Sequence, residues 1–335
     1  MRKTHLDYLA CPQCSSDLSF LQVTDIEGDV VRNGMLRCGG CSSRYPVVRS
    51  IPRFVPGENY ASGFGFQWTK HSLTQYDSHT GRPLSKRRFF DETGWPPNLA
   101  GETVLEVGCG SGRFTEQALS TGALVVSLDY SYSVDANHEQ NGDNDNLLVV
   151  QADVCAMPLR DDAFDKVFCF GTLQHTPNPR QSFEALVSVL KPGGELVADI
   201  YKKNRLGRFF SFTPAPPTKY YVRPITTRMR PESLYSLVGR YVDAMWGLSR
   251  WVARIPGIGR NLNWLLLIAD HRNLGLSENL ARQWARLNTF DMLAPKYDLP
   301  QTLATVQRWF READMTNCRV EYGHNGIVGR GTRRP

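Results

Sequence analysis

Val104-Leu105-Glu106-Val107-Gly108-Cys109-Gly110-Ser111-Gly112-Arg113-Phe114 decides the fold. An apolar run suited to a buried strand passes into three glycines at alternate positions and then into a helical stretch, Gly112–Leu119. Glycines accept positive φ and let backbone approach a ligand closely. The spacing Gly-x-Gly-x-Gly differs from the dinucleotide pattern Gly-x-Gly-x-x-Gly. Glu106, two residues before the first glycine, suits a cationic ammonium and would repel a pyrophosphate.

Further strands are expected at Leu124–Leu128, Leu147–Val150, Lys166–Phe170 and Glu195–Ile200, with a helix over Pro179–Leu190. This alternation predicts an α/β fold: parallel strands with crossover helices on both faces. Asp129 closes the second strand, placed to accept both hydroxyls of a ribose, and Asp153 follows the third, placed to accept from an adenine amino group. Ligands of open α/β sheets bind at this carboxyl edge.

The run Val-Leu-Glu-Val-Gly-Cys-Gly-Ser-Gly, Asp129, Ala152-Asp153, Phe164-Asp165-Lys166-Val167-Phe168 and Leu190-Lys191-Pro192-Gly193-Gly194-Glu195-Leu196 resembles the class I S-adenosylmethionine (SAM) methyltransferases, type 11 subgroup, over residues 101–201. The resemblance implies a Rossmann-like seven-stranded sheet with an antiparallel last strand, and Gly323-His324-Asn325-Gly326 fits the hairpin leading into it. It also implies SAM as cofactor, with Glu106 on the methionine amino group, Asp129 and Tyr130 at the ribose end, and Asp153 and Val154 at adenine. Gly108, Cys109, Gly110 and Gly112 would form the loop beneath the cofactor, and Phe170 and Gly171 would border the sulfonium. His175, after the fourth strand, sits where an acceptor should meet the methyl group; it is the candidate base, with a packing histidine as the rival reading.

Upstream, Cys11-Pro12-Gln13-Cys14 and Cys38-Gly39-Gly40-Cys41 form two tight pairs. Four thiolates so spaced predict a closed tetrahedral structural Zn2+ site; a redox pair or two unconnected pairs are the alternatives. Leu9 to Phe54 resembles the zinc ribbon of the small activator subunit of tRNA and protein methyltransferases. The remaining cysteines, Cys109, Cys155, Cys169 and Cys318, read as small buried residues.

The expected organisation is a zinc ribbon at 1–56, a connector or lid at 57–100, a SAM-binding core at 101–201, a helical insertion or cap at 202–290, and a return to the core at 291–335. Helices are expected over Glu232–Ala253, Ser277–Asn288 and Thr302–Ala313, and strands over Asn317–Tyr322 and Gly326–Gly329. In the connector, Phe66, Gln67, Trp68, Tyr76 and Asp77 are candidate cofactor or substrate contacts. The insertion is broken by prolines at 214, 216, 217, 224 and 256. It carries an apolar strip of Trp246, Leu248, Trp251, Val252, Ile255, Trp264, Leu265 and Leu266, with Arg240, Arg250, Arg254 and Arg260 interleaved. A cap packed on the sheet domain is the favoured reading of this strip, and docking on a membrane or lipid-linked substrate is the other.

The chain has 335 residues, 41% hydrophobic and 21% charged, and a net charge of +6, a mild excess that singles out no partner class. The longest apolar run, Trp264 to Ala269, is far short of the roughly 20 residues needed to cross a bilayer, and the N-terminus lacks an apolar leader, so a cytoplasmic protein is expected. Neither an Asn-Pro-Pro-Tyr motif for base amines nor a Pro-Cys nucleophile for cytosine carbon follows the fourth strand. The leading expectation is therefore methyl transfer to a small-molecule or glycan acceptor. The alternatives are an rRNA or tRNA methyltransferase gripping RNA with its ribbon, and a non-catalytic zinc-ribbon binding protein.

Overall fold

The structure is a computed structural model that describes residues 1–56, 59–203, 217–259, 262–263, 266–268 and 274–335, with the side chains of 217 and 218 left aside. Pro214, Pro216, Arg260, Trp264 and Leu265 lie outside the described residues.

The N-terminal module opens with a short 3-10 turn and forms an antiparallel sheet in the order β1 (Leu18–Glu27), β2 (Val30–Cys38), β3 (Arg44–Val48), β4 (Ile51–Pro52). Three helices follow, α1 (Ser62–Lys70), α2 (Asp77–Thr80) and α3 (Leu84–Thr93). The main domain then alternates β5 (Thr103–Val107), α4 (Arg113–Leu119), β6 (Leu124–Asp129), α5 (Ser133–Asn141), β7 (Leu147–Gln151), β8 (Phe164–Cys169), α6 (Pro179–Ser188) and β9 (Leu190–Ile200). Helices α7 (Pro217–Thr226), α8 (Pro231–Val252) and α9 (Glu278–Leu293) form the insertion, and α10 (Leu303–Glu312), β10 (Met315–Gly323) and β11 (Gly326–Arg333) complete the sheet.

Seven strands lie in the order β10-β11-β9-β8-β5-β6-β7. The five from β9 to β7 are parallel, and β11 runs antiparallel to both its neighbours. Gly323 pairs with Gly326, so His324 and Asn325 form the two-residue tip of the expected hairpin.

Successive strand residues face opposite layers. Leu105, Val107, Val126 and Leu128 join Phe183 of α6 and Phe310 of α10 on one side. Val104, Val125, Val149 and Phe168 join Phe89 and Phe114 on the other.

The ribbon is fused to the open border of this sheet. Phe54 N–H donates to Gln151 O at 2.8 Å, and Arg53 pairs with Gln151 in parallel register. Ala10 N–H donates to Pro158 O at 3.0 Å, and Leu9, Val31 and Leu36 sit in the same core as the sheet residues.

Two local expectations change. The Leu190-to-Leu196 stretch was expected to turn from helix into strand; instead α6 ends at Ser188 and β9 is extended from Leu190, accommodated by a register shift between Phe164 and Lys166. α9 continues five residues past Asn288, because Phe290, Met292 and Leu293 still face the insertion core. The polar helix α5 had no apolar periodicity to betray it.

Candidate functional site

A cavity of about 790 Å³ opens at the carboxyl edge of the parallel strands. Its floor is Val107 to Ser111, its sides are Asp129 and Tyr130 at the end of β6, Ala152 and Val154 after β7, and Phe170 to Thr172 after β8. Its roof comes from Tyr60, Phe64, Gln67 and Trp68 in and before α1, and Trp284, Leu287, Asn288 and Asp291 on α9.

The three loop glycines all hold left-handed backbone, with φ of +81° at Gly108, +54° at Gly110 and +96° at Gly112. A Cβ on Gly108 would strike Thr172 Oγ1, and one on Gly112 would strike Asn137 Oδ1. At Gly110 it would stand 3.1 Å from the Trp68 indole nitrogen, so α1 lies directly on the loop. Tyr76 locks that contact from below, donating to Ser111 O at 2.6 Å and accepting from Asn141 at 2.9 Å.

Asp129 faces the cavity and braces the loop, accepting Gly110 N–H at 3.0 Å and Ser131 N–H at 2.8 Å. The Tyr60 and Tyr130 rings stack at 4.7 Å beside it. Asp153 stands behind this pair, accepting Cys155 N–H at 2.8 Å, and Gly112 turns toward α5; neither lines the cavity.

Glu106 is also away from the cavity wall. Strand alternation puts it on the Val104 face, 2% exposed beneath α4, where it accepts hydrogen bonds from Thr115 Oγ1 and from Ser127 Oγ at 2.8 Å. Burial pushes its carboxyl up to about 7, against the pull of the two hydroxyls.

The connector candidates separate. Gln67 and Trp68 line the cavity. Phe66 instead packs on Tyr235 and Phe290, Tyr76 props the loop, and Asp77 accepts Ser85 N–H at 2.7 Å and Lys86 N–H at 2.8 Å at the start of α3.

His175 closes the far end. Its Nδ1 lies 3.0 Å from Tyr297 O, and a carbonyl only accepts, so in the neutral ring the proton is on Nδ1 and the lone pair on Nε2. Nε2 is buried without a partner, and the ring lies between Phe64, at 5.1 Å, and Tyr201, at 5.5 Å. Gln67 is likewise 1% exposed with both amide atoms unpaired. Buried polar atoms cost free energy when unpaired, so two such groups on one cavity fit a polar ligand there.

Sequence reading missed Arg88, Arg113, Tyr201, Asp291 and Asn325, all on the cavity wall. Tyr201 follows β9 and Asn325 tips the hairpin, so strand ends would have found both; Arg88 lies within α3 and Asp291 in the last turn of α9, and they reach the site only through tertiary packing. Arg88 is bound by Glu92 at 3.1 Å and by Asp199, whose other oxygen accepts Gly171 N–H.

The Cys11, Cys14, Cys38 and Cys41 sulfurs all lie within 4.8 Å of one another. Gly40 and Cys41 N–H groups point at Cys38 Sγ at 3.3 and 3.4 Å, as expected for a thiolate needing donors. Of the other cysteines, Cys109 and Cys169 are buried, Cys155 is half-buried, and Cys318 is exposed because β10 is an edge strand.

Residues 105–198 match a family model described as a methyltransferase domain. A demethylmenaquinone methyltransferase of Clavibacter sepedonicus is 33% identical over 181 residues, 52% of this chain and 70% of that relative. A ubiquinone biosynthesis O-methyltransferase of Pseudomonas fluorescens is 31% identical over 122 residues, so the chain spans about half of that relative's length (52%) and matches over 35% of its own. Among solved structures, an O-methyltransferase family protein from Burkholderia thailandensis aligns over 75% of this chain and 56% of its own, with 12% identity and a TM-score of 0.41.

Proposed function

This chain belongs to the SAM-dependent methyltransferases, and we propose that it methylates a hydroxyl oxygen of a small-molecule or glycan acceptor with His175 Nε2 taking the proton. The observation that carries this reading is the unpaired Nε2, fixed by the Nδ1 bond to Tyr297 O and buried on the cavity wall. An oxygen nucleophile must lose its proton as it attacks, and a positioned imidazole lone pair serves that need. The relatives named for quinone methylation give a small-molecule acceptor further support.

SAM supplies an electrophilic methyl group. Asp129 would hold its ribose, and Gly108 and Gly110 would pass beneath it. Tyr130 and Val154 would flank the base, and Phe170 and Gly171 would border the reacting carbon. Asp153 would reach the adenine amino group, and Glu106 the methionine ammonium, only through an intervening water, since neither lines the cavity. The roof of Phe64, Trp68 and Trp284 closes the site from bulk water, so that solvent does not compete with the acceptor for the methyl group. The four ribbon thiolates would hold a structural Zn2+.

The test is a screen of the full-length protein against hydroxylated aromatics, nucleotide sugars, lipid-linked sugars and stripped RNA, reading S-adenosylhomocysteine production. With the acceptor found, His175→Gln is expected to lower kcat by about 10²–10⁴-fold while leaving S-adenosylhomocysteine affinity unchanged. Turnover confined to RNA, or an H175Q variant with normal kcat, overturns the reading.

A further inference from the structure

Among the described residues, the insertion presents an apolar face that their packing leaves exposed. α8 buries Leu234, Val238, Val242 and Trp246 against α9 and its surroundings. On its opposite side Leu237 is 51% exposed, Leu248 46% and Trp251 63%, and Ile258 beyond the helix is 55%. Leu237, Ala244, Leu248 and Trp251 fall on one exposed stripe at the helical repeat. α7 adds exposed Tyr221 and Ile225. A helix apolar on both sides with only one side covered calls for an occupant on the other.

The charges around this stripe identify the occupant. Arg228, Arg230, Arg240 and Arg254 are exposed on the same two helices and the turns that follow them, beside two exposed acids, Glu232 and Asp243, the latter held by Arg286 at 2.5 Å. Arg228, Arg230 and Arg240 have no carboxylate partner among the described residues.

We propose that the outer face of α7 and α8 docks on an anionic lipid bilayer, with Leu237, Leu248, Trp251 and Ile258 entering the headgroup boundary and the arginines meeting lipid phosphates. Long arginine side chains keep their heads in the polar layer while their stems and the indole cover the apolar boundary. A second copy of the chain is the poorer occupant, because two-fold contact would set these arginines against each other. A nucleic acid would reward the arginines but leave Leu237, Leu248 and Ile258 dehydrated without gain. No helix among the described residues is long and apolar enough to cross a membrane, so the contact is peripheral.

Flotation of the full-length protein with vesicles tests this. Vesicles holding about 30% phosphatidylglycerol should carry the protein, pure phosphatidylcholine vesicles should carry far less, and about 0.5 M NaCl should release it. The double variant L248E/W251E should lose at least about ten-fold in partitioning, and R228Q/R230Q/R240Q roughly a hundred-fold. Calorimetry with S-adenosylhomocysteine should give the same affinity for wild type and both variants, which shows that they are folded and separates this test from that of the acceptor. Absence of flotation at low salt overturns the proposal. So does a concentration-dependent dimer in light scattering that L248E/W251E abolishes, which would assign the face to a second copy. Retention on heparin with no vesicle binding would assign it to nucleic acid.

Discussion

Glu106 illustrates how one residue's position on a strand decides its chemistry. Its carboxyl, raised to about 7 by burial, keeps a proton in the folded protein that the unfolded chain releases near the ordinary carboxylate value. Between those two values the unfolded state binds fewer protons, so this site's contribution to stability falls as pH rises from roughly 4.5 to 7, by at most about 3 kcal/mol. Glu106→Gln keeps an acceptor for Thr115 and Ser127 without that titration. Its stability relative to wild type should therefore climb across the same interval in urea unfolding, and a gap that stays flat with pH would show that Glu106 ionises normally. From sequence, Glu106 stood out as a candidate acid near the glycines. That it would lie under α4 was not, because the expectation used its distance along the chain and overlooked the face that alternation assigns it.

Among the elements, the loop between β5 and α4 was the most legible, since three positive-φ positions in five residues leave few alternatives to glycine. Its glycines are not equivalent to others with the same backbone. Gly193 has φ +80° and nothing near a prospective Cβ, whereas Gly112 has φ +96° and Asn137 in the way. Gly193→Ala should therefore cost about 1–2 kcal/mol, the strain of the left-handed backbone alone. Gly112→Ala should cost about 3 kcal/mol or more, because the amides of buried Asn137 and of Asn141 must also shift. Equal losses in denaturant midpoints would mean that close packing on Asn137 contributes nothing. The lid and insertion were far less legible. Phe66, Gln67 and Trp68 are neighbours on one helix, yet only the latter two reach the cavity, and the sequence carried no sign of where the insertion helices would lie across that face. The apolar strip read along the insertion likewise divides: Trp246 is buried, while Leu248 and Trp251 face outward.

At the scale of the whole molecule, the N-terminal module and the methyltransferase body share one core. Leu9, Val31 and Leu36 pack in the same cluster as Leu105 and Leu128. The cysteine spacing declared the ribbon, but no local pattern declared where it would dock, since Arg53 and Gln151 meet across nearly a hundred residues of chain. A chelator strong enough to strip zinc should therefore lower the melting temperature of the entire protein in one cooperative transition, as measured by calorimetry with zinc content followed in parallel. Two separate transitions, with the upper one unmoved, would show the ribbon to be an independent appendage.

The bonds from Phe54 and Arg53 to Gln151 have a bearing on biogenesis. They cap the end of β7, the outermost rung of the parallel sheet, at Gln151, where an edge strand otherwise offers bare peptide groups to any passing strand. Because the cap precedes the strand in the chain, the segment that closes this corner of the sheet is already synthesised when β7 is made.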